Sequence, residues 1–116
     1  MKINPEATAK ENAQIVRDKL PFTERLAQLA EEAAELSQAA LKLRRAITGV
    51  NPTPVTIYDA SRKLGEEIAD VYACLDALSV ANDPKFVKDI KLMAAIKMAR
   101  WADRLSEKSN GSEEIG

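Results

Sequence analysis

Residues 22–48 decide the fold of this chain, and they read FTERLAQLAEEAAELSQAALKLRRAIT. Apolar side chains recur here at alternating spacings of three and four residues: Leu26, Leu29, Ala33, Leu36, Ala40, Leu43 and Ile47. This spacing places them in a single stripe along an α-helix. The stretch therefore predicts one long amphipathic helix, which Gly49 is well suited to end.

Two further helices are predicted on either side of this stretch. An N-terminal helix over residues 7–19 stops before Pro21, because proline disfavours helix in the residue that precedes it. After a proline-rich turn at residues 51–54, another helix is predicted over residues 56–81. Its apolar stripe consists of Ala60, Leu64, Ile68, Val71, Leu75 and Leu78.

A last helix is predicted to begin where Asp83 precedes Pro84. Aspartate is a favoured helix N-cap, and proline is favoured at the first helical position. The helix is expected to cover residues 84–107, and the polar tail at residues 108–116 is expected to be disordered.

The predicted fold class is all-α, an antiparallel bundle of about four helices. Residues 1–21 form a short helical arm in this interpretation, and residues 22–107 form the core. Long, alanine-rich helices leave much apolar surface in a chain of 116 residues. We therefore expect the bundle to assemble with a second subunit, as a homodimer or homotetramer.

Composition excludes several classes of chemistry. The chain has no histidine, which rules out histidine-dependent triads, zincin motifs and the di-iron site of ferritin-like bundles. Its single cysteine, Cys74, cannot form an internal disulfide and is predicted to be a packed thiol rather than a nucleophile. Any catalysis must therefore use carboxylates, lysine, arginine and metal.

Charge and hydropathy also limit the partners. The formal net charge is −1, which gives no overall attraction to a nucleic-acid polymer or an anionic membrane. The apolar runs are short and interrupted by charge, so no membrane span is predicted. The polar N-terminus lacks the apolar core of a signal peptide, and a cytoplasmic protein is expected.

Two pairs of acids carry the functional signal. Glu32 and Glu35 lie on the second helix, and Glu67 and Asp70 lie on the third. Residues three apart share a helix face. On a helical wheel with zero at the middle of each helix's apolar stripe, Glu32 and Glu35 lie at about −60° and −120°. Glu67 and Asp70 lie at about −40° and −100°. The two pairs therefore flank the bundle seam with nearly the same phase.

The same arithmetic turns Glu31 and Glu66 toward solvent. If the two helices pack side by side, the other four carboxylates converge and repel one another unless a cation or protons neutralise them. Mg²⁺ is the expected occupant, because it prefers hard oxygen ligands and keeps positions open for phosphate. The alternative is that both pairs belong to ordinary solvated helix faces.

A basic flank is predicted beside the apolar stripe of the last helix, formed by Lys97, Arg100 and Arg104. Such cations suit the oxygens of a triphosphate. The alternative is a surface stripe that pairs with Asp103 or Glu107.

These motifs resemble a known family. The strings LAEEAAEL at residues 29–36 and EEIADV at residues 66–71 are similar to the ExxE and ExxD signature of the MazG-like all-α nucleoside triphosphate pyrophosphohydrolases. That superfamily also includes dimeric dUTPases and dCTP pyrophosphatases. The stretch KMARW at residues 97–101 is similar to the basic segment on the last core helix. The resemblance covers residues 22–105.

The resemblance implies Mg²⁺-dependent cleavage of a nucleoside triphosphate, with Mn²⁺ as a substitute metal, to the monophosphate and pyrophosphate. It implies that the metal ligands and catalytic residues are Glu32, Glu35, Glu67 and Asp70. It also implies an oligomer and phosphate contacts from Lys97, Arg100 and Arg104. Candidates for holding the base are Gln28, Phe22, Tyr58 and Trp101, and an aromatic at helical spacing is more often part of a core.

Two other interpretations are compatible with the sequence. One is a relative that binds nucleotides without cleaving them. The other is a helical interaction module whose acids only solubilise the bundle. The preferred base and sugar, the number of metal ions, the acid that orients water, and the choice of dimer or tetramer are left open by the sequence.

Overall fold

The computed structural model describes residues 5–78 and 83–115. Every regular element in these two ranges is a helix, and neither range contains a strand. The helices are α1 (Pro5–Lys19), α2 (Phe22–Thr48), α3 (Ile57–Ala77) and α4 (Pro84–Ile115). The all-α prediction is confirmed, and the four helices correspond to the four predicted segments.

Residues at the helix ends account for three of the boundaries. Gly49 ends α2 with a left-handed backbone (φ 66°), and its N–H donates to the Arg45 carbonyl at 2.9 Å. Glycine adopts this conformation without the strain that a Cβ would bring. The Thr56 hydroxyl accepts from the Asp59 N–H at 3.0 Å and caps α3. Asp83 caps α4 in the same way through the N–H of Lys85, as predicted.

Two helix ends differ from the prediction. α3 stops at Ala77, because Leu78 is buried with an extended backbone; the rest of the predicted helix, residues 79–81, lies outside the described residues. α4 runs past residue 107 into the stretch predicted as a disordered tail. That stretch contains no proline, and Gly111 costs a helix only about 1 kcal/mol, so no residue there forces an end.

The chain divides into two compact units, residues 1–81 and residues 82–116. This division differs from the predicted arm and core at residue 22. In the first unit, α2 packs along α3 and α1 also contacts α3. α2 and α3 are antiparallel, because Arg25 near the start of α2 donates to the carbonyl of Ala77 at the end of α3.

Few side chains of the first unit are buried. The apolar ones are Ala39, Ala60 and Leu78, and the charged ones are Arg25 and Glu67. The stripe of α2 is only partly covered, since Leu29, Leu36 and Leu43 are half-buried whereas Leu26 and Ile47 are exposed. The stripe therefore faces α3 along one edge and leaves its other edge uncovered.

The buried Arg25 holds the α1–α2 turn against the end of α3. Its Nε donates to the Leu20 carbonyl at 3.1 Å, and its Nη1 donates to the Ala77 carbonyl at 3.0 Å. Its guanidinium also lies over the Phe22 ring, 5.3 Å from the centroid. These contacts fix the register of α2 on α3 from one end, and that register positions the acid pairs.

None of the described helices combines the length and the apolar character needed to cross a membrane.

Candidate metal centre

The four predicted acids meet where α2 packs on α3. One carboxylate oxygen from each of Glu32, Glu35, Glu67 and Asp70 lies within 4.8 Å of the other three. Glu67 is buried, Glu32 is half-buried, and Glu35 and Asp70 are exposed. The expected convergence is confirmed, and the cluster spans the seam from the buried side to solvent.

Each of the two less exposed acids has one oxygen satisfied and one without a partner. Gln28 Nε2 donates to Glu32 Oε1 at 3.0 Å, and Lys63 Nζ forms an ion pair with Glu67 Oε1 at 2.9 Å. The second oxygens, Glu32 Oε2 and Glu67 Oε2, are buried and have no hydrogen-bond partner among the described residues. A buried unpaired carboxylate oxygen is costly, so this arrangement favours a cation beside both.

Electrostatics within the cluster shift two pKa values in opposite directions. The negative charge of Glu32, and then that of Glu67, raises the pKa of Glu35 above its ordinary 4.5. The hydrogen bond from Lys63 lowers the pKa of Glu67, although burial opposes it. Glu35 is therefore the member of this pair that takes up a proton first as the pH falls.

Cys74 lies near the cluster as a half-buried thiol. Burial raises its pKa, and the negative charges of Glu32 and Asp70 raise it further. A thiol with a raised pKa stays protonated and is a poor nucleophile. This agrees with the prediction of a packed thiol.

The neighbouring acids Glu31 and Glu66 are exposed and do not belong to the cluster. Their predicted orientation toward solvent is confirmed. They carry the same charge on the same helices, which makes them matched controls for substitutions in the cluster.

The predicted basic residues form a separate group on α4. Lys97, Arg100 and Arg104 line a shallow surface cavity of about 490 Å³ together with Trp101. They are exposed, and none of them forms an ion pair with Asp103 or Glu107 in the part of α4 whose side chains are described. They belong to the second unit, whereas the acids and Gln28 belong to the first.

The predicted base-holding aromatics are more exposed than core residues would be. Tyr58 is 68% exposed, Trp101 55% and Phe22 40%. The expectation that each is a core residue is therefore wrong. The physical reason is that few side chains of the described residues are buried, so the helix faces that carry these aromatics are left open.

Sequence reasoning missed Lys63, which holds Glu67. A signal was available, because Lys63 stands four residues before Glu67, the spacing at which a helix brings two side chains together. Lys42 and Arg45 were also missed, although they line a groove beside the cluster. Their signal was weak, since basic residues near the end of a helix commonly interact with its dipole.

Comparison with known proteins gave no match: no protein-family model matches the chain, and neither does any curated protein or solved structure.

Proposed function

We propose that this chain is a Mg²⁺-dependent nucleoside triphosphate pyrophosphohydrolase of the MazG-like kind, which cleaves an NTP or dNTP to the monophosphate and pyrophosphate. The observation that carries the proposal is the convergence of four carboxylates with two buried, unpaired oxygens. The ExxE and ExxD motifs at these positions support the same assignment. A role in cleaning or controlling the nucleotide pool in the cytoplasm is part of the proposal.

The donor set fits Mg²⁺. All four candidate ligands offer carboxylate oxygens, which hard divalent cations prefer, and no sulfur or nitrogen ligand competes within the cluster. Glu32 and Glu67 each present an oxygen that has no other partner. Glu35 and Asp70, on the exposed side, would complete the set and leave room for phosphate oxygens. Mn²⁺ has similar oxygen preferences and is the proposed substitute.

The proposed reaction is a direct displacement by water. The water oxygen attacks the α-phosphorus, and the bond from that phosphorus to the bridging oxygen breaks with its electron pair staying on pyrophosphate. The proton of the attacking water passes to a carboxylate of the cluster or to solvent. Mg²⁺, when bound, would supply charge neutralisation at the phosphate oxygens. In the metal-free chain, Gln28 holds one oxygen of Glu32 and Lys63 holds one oxygen of Glu67.

Phosphate contacts from α4 and a substrate contact from Gln28 are also part of the proposal. Lys97, Arg100 and Arg104 on α4 would bind phosphate, because their charges have no acidic partner among the described side chains. Gln28 would contact the substrate from α2, and its amide nitrogen already holds Glu32. A side chain bonded to a ligand in this way links substrate binding to the position of that ligand.

An oligomer is also part of the proposal, as a homodimer or homotetramer. Large apolar side chains of α2 and α3 stay 40% or more exposed, among them Leu26, Ile68, Tyr72 and Leu75. A single copy with only three buried apolar residues among those described has little core, and a second copy would cover this surface. Sedimentation at micromolar concentration is expected to give a dimer or larger species. A monomer would contradict the oligomer.

The class of reaction is tested by pyrophosphate release from a panel of canonical and modified nucleoside triphosphates, with Mg²⁺ and with chelator. We expect release only with Mg²⁺ and the monophosphate as the other product. Binding of nucleotide without release would indicate a binding-only relative. Neither binding nor release in a folded sample would favour an interaction module.

The site is tested by Asp70→Asn against the matched control Glu66→Gln. We expect Asp70→Asn to lower turnover by more than about 100-fold, because it removes a charged ligand from the cluster. Glu66→Gln, which removes an exposed acid of the same helix, should keep turnover within about threefold of the native chain. Equal turnover in the two variants would refute the assignment of Asp70.

A further inference from the structure

A groove between α2 and α3 begins at the carboxylate cluster. It has a volume of about 530 Å³, which lies in the range of small-molecule sites. Glu35 and Glu67 line it on the acidic side, and Lys42, Arg45 and Lys63 line it together with the uncharged residues Gln38, Ala39 and Leu41. An acidic and a basic region therefore share one cavity within a single unit of the chain.

The helix directions place the cations on one side of the acids. Lys42 and Arg45 follow Glu35 on α2 by 7 and 10 residues, or about 10 and 15 Å along the axis. Lys63 precedes Glu67 on the antiparallel α3, which displaces it in the same direction. Side chains on a helix lean toward its N-terminus, so Lys42 and Arg45 lean back toward the carboxylates.

The three cations have few partners within the protein, which leaves them able to bind an anion. Lys42 and Arg45 form no side-chain hydrogen bond or ion pair with another described residue, and Arg45 is half-buried. Lys63 has one ion pair, with Glu67. If a metal ion neutralises Glu67, the ammonium of Lys63 loses part of its attraction to that carboxylate and becomes available to another anion.

We propose that this groove is a polyphosphate subsite, in which Lys42, Arg45 and Lys63 hold the β- and γ-phosphates of the substrate and then the pyrophosphate product. The proposal rests on the function proposed above and assigns the leaving group to this groove. The metal region would face the α-phosphate, and the three cations would stabilise the charge that develops on pyrophosphate as the bond to the α-phosphorus breaks. Arginine and lysine both suit this role.

The test is isothermal titration of inorganic pyrophosphate into the full chain, with and without Mg²⁺. The double variant Lys42→Ala/Arg45→Ala is compared with the control Arg44→Ala/Arg62→Ala, which removes two exposed cations that do not line the groove. We expect the first variant to bind pyrophosphate at least about tenfold more weakly for each cation lost, because each charge-assisted bond is worth that much. The control should bind as the native chain does, and circular dichroism should show helix in both.

Equal pyrophosphate affinity in the two double variants would overturn the subsite. Metal titration and pyrophosphate release from nucleoside triphosphates, measured on the same samples, separate this failure from a failure of the proposed function. If native turnover needs Mg²⁺ but the loss of Lys42 and Arg45 leaves pyrophosphate affinity unchanged, the proposed function is supported and the proposed subsite is wrong. If no triphosphate is cleaved but pyrophosphate affinity depends on these two residues, the subsite stands without the enzyme.

Discussion

Glu35→Gln is expected to abolish Mg²⁺-dependent pyrophosphate release and, at the same time, to stabilise the metal-free protein. The loss of turnover, more than about 100-fold, follows from the removal of one charged ligand from a set of four. The gain in stability follows from the proximity of the Glu35 carboxylate to those of Glu32 and Glu67, whose negative charges raise its pKa. Turnover and thermal unfolding in chelator measure the two effects.

The stabilising effect has a defined pH dependence. A carboxyl whose pKa is raised on folding favours the fold fully when it is protonated, and that contribution is lost as the pH rises through the raised value. The gap in Tm between Glu35→Gln and the native chain is therefore expected at neutral pH and should close as the pH falls to 4.5. The lowered pKa of Glu67 changes the stability only below about pH 4.5, outside the pH range in which the Glu35 effect is expected.

Glu31→Gln is the matched control, since it removes an exposed acid one turn away that does not belong to the cluster. It should keep turnover and show no comparable gap in Tm. If Glu35→Gln retained turnover, the assignment of Glu35 as a ligand would fail. If its Tm in chelator were lower than that of the native chain, the inference that the clustered carboxylates repel one another would be wrong.

Arg25→Met is expected to destabilise the protein strongly. The methionine keeps an apolar stem but removes the donors to the Leu20 and Ala77 carbonyls and the contact with Phe22. Hydrogen bonds from a charged group contribute about 1.5–3 kcal/mol each, and two are lost, so the free energy of unfolding should fall by at least about 3 kcal/mol. Urea denaturation measures this change.

Arg44→Met is the control for Arg25→Met, because it makes the same replacement at an exposed position of α2. Its effect should lie within about 0.5 kcal/mol of zero. Equal denaturation midpoints for the two variants would show that Arg25 does not anchor the turn. A lower metal affinity in Arg25→Met would be a consequence of the lost register between α2 and α3.

Helix positions could be predicted from the sequence because the signals are local. The periodic stripe from Leu26 to Ile47, the turn at residues 51–54 and the Asp83–Pro84 pair each act over a few residues. The end of α3 could not be predicted, because it depends on the burial of Leu78 in tertiary packing. The sequence also did not predict that the chain divides after residue 81 rather than after residue 21.

Helical phase places Glu32, Glu35, Glu67 and Asp70 beside the seam, so the acid cluster was predictable once α2 and α3 were assumed to pack side by side. The groove next to it was not, because no spacing rule relates Lys42 on α2 to Lys63 on α3. Their proximity follows from the register of two antiparallel helices, which Arg25 helps to set from the far end. That register is a long-range property, and a single sequence does not encode it in any short motif.

In its ion pair with Glu67, the Lys63 ammonium competes with a metal ion for the same carboxylate. The ammonium is tethered one helical turn from the carboxylate, so its effective concentration there is high whatever the solution contains. A metal ion must displace the Lys63 ammonium before it can bind both oxygens of Glu67. Only a cation that binds the carboxylates strongly enough therefore replaces Lys63. A divalent ion does so more readily than a monovalent one, because it offers twice the charge to the same carboxylates.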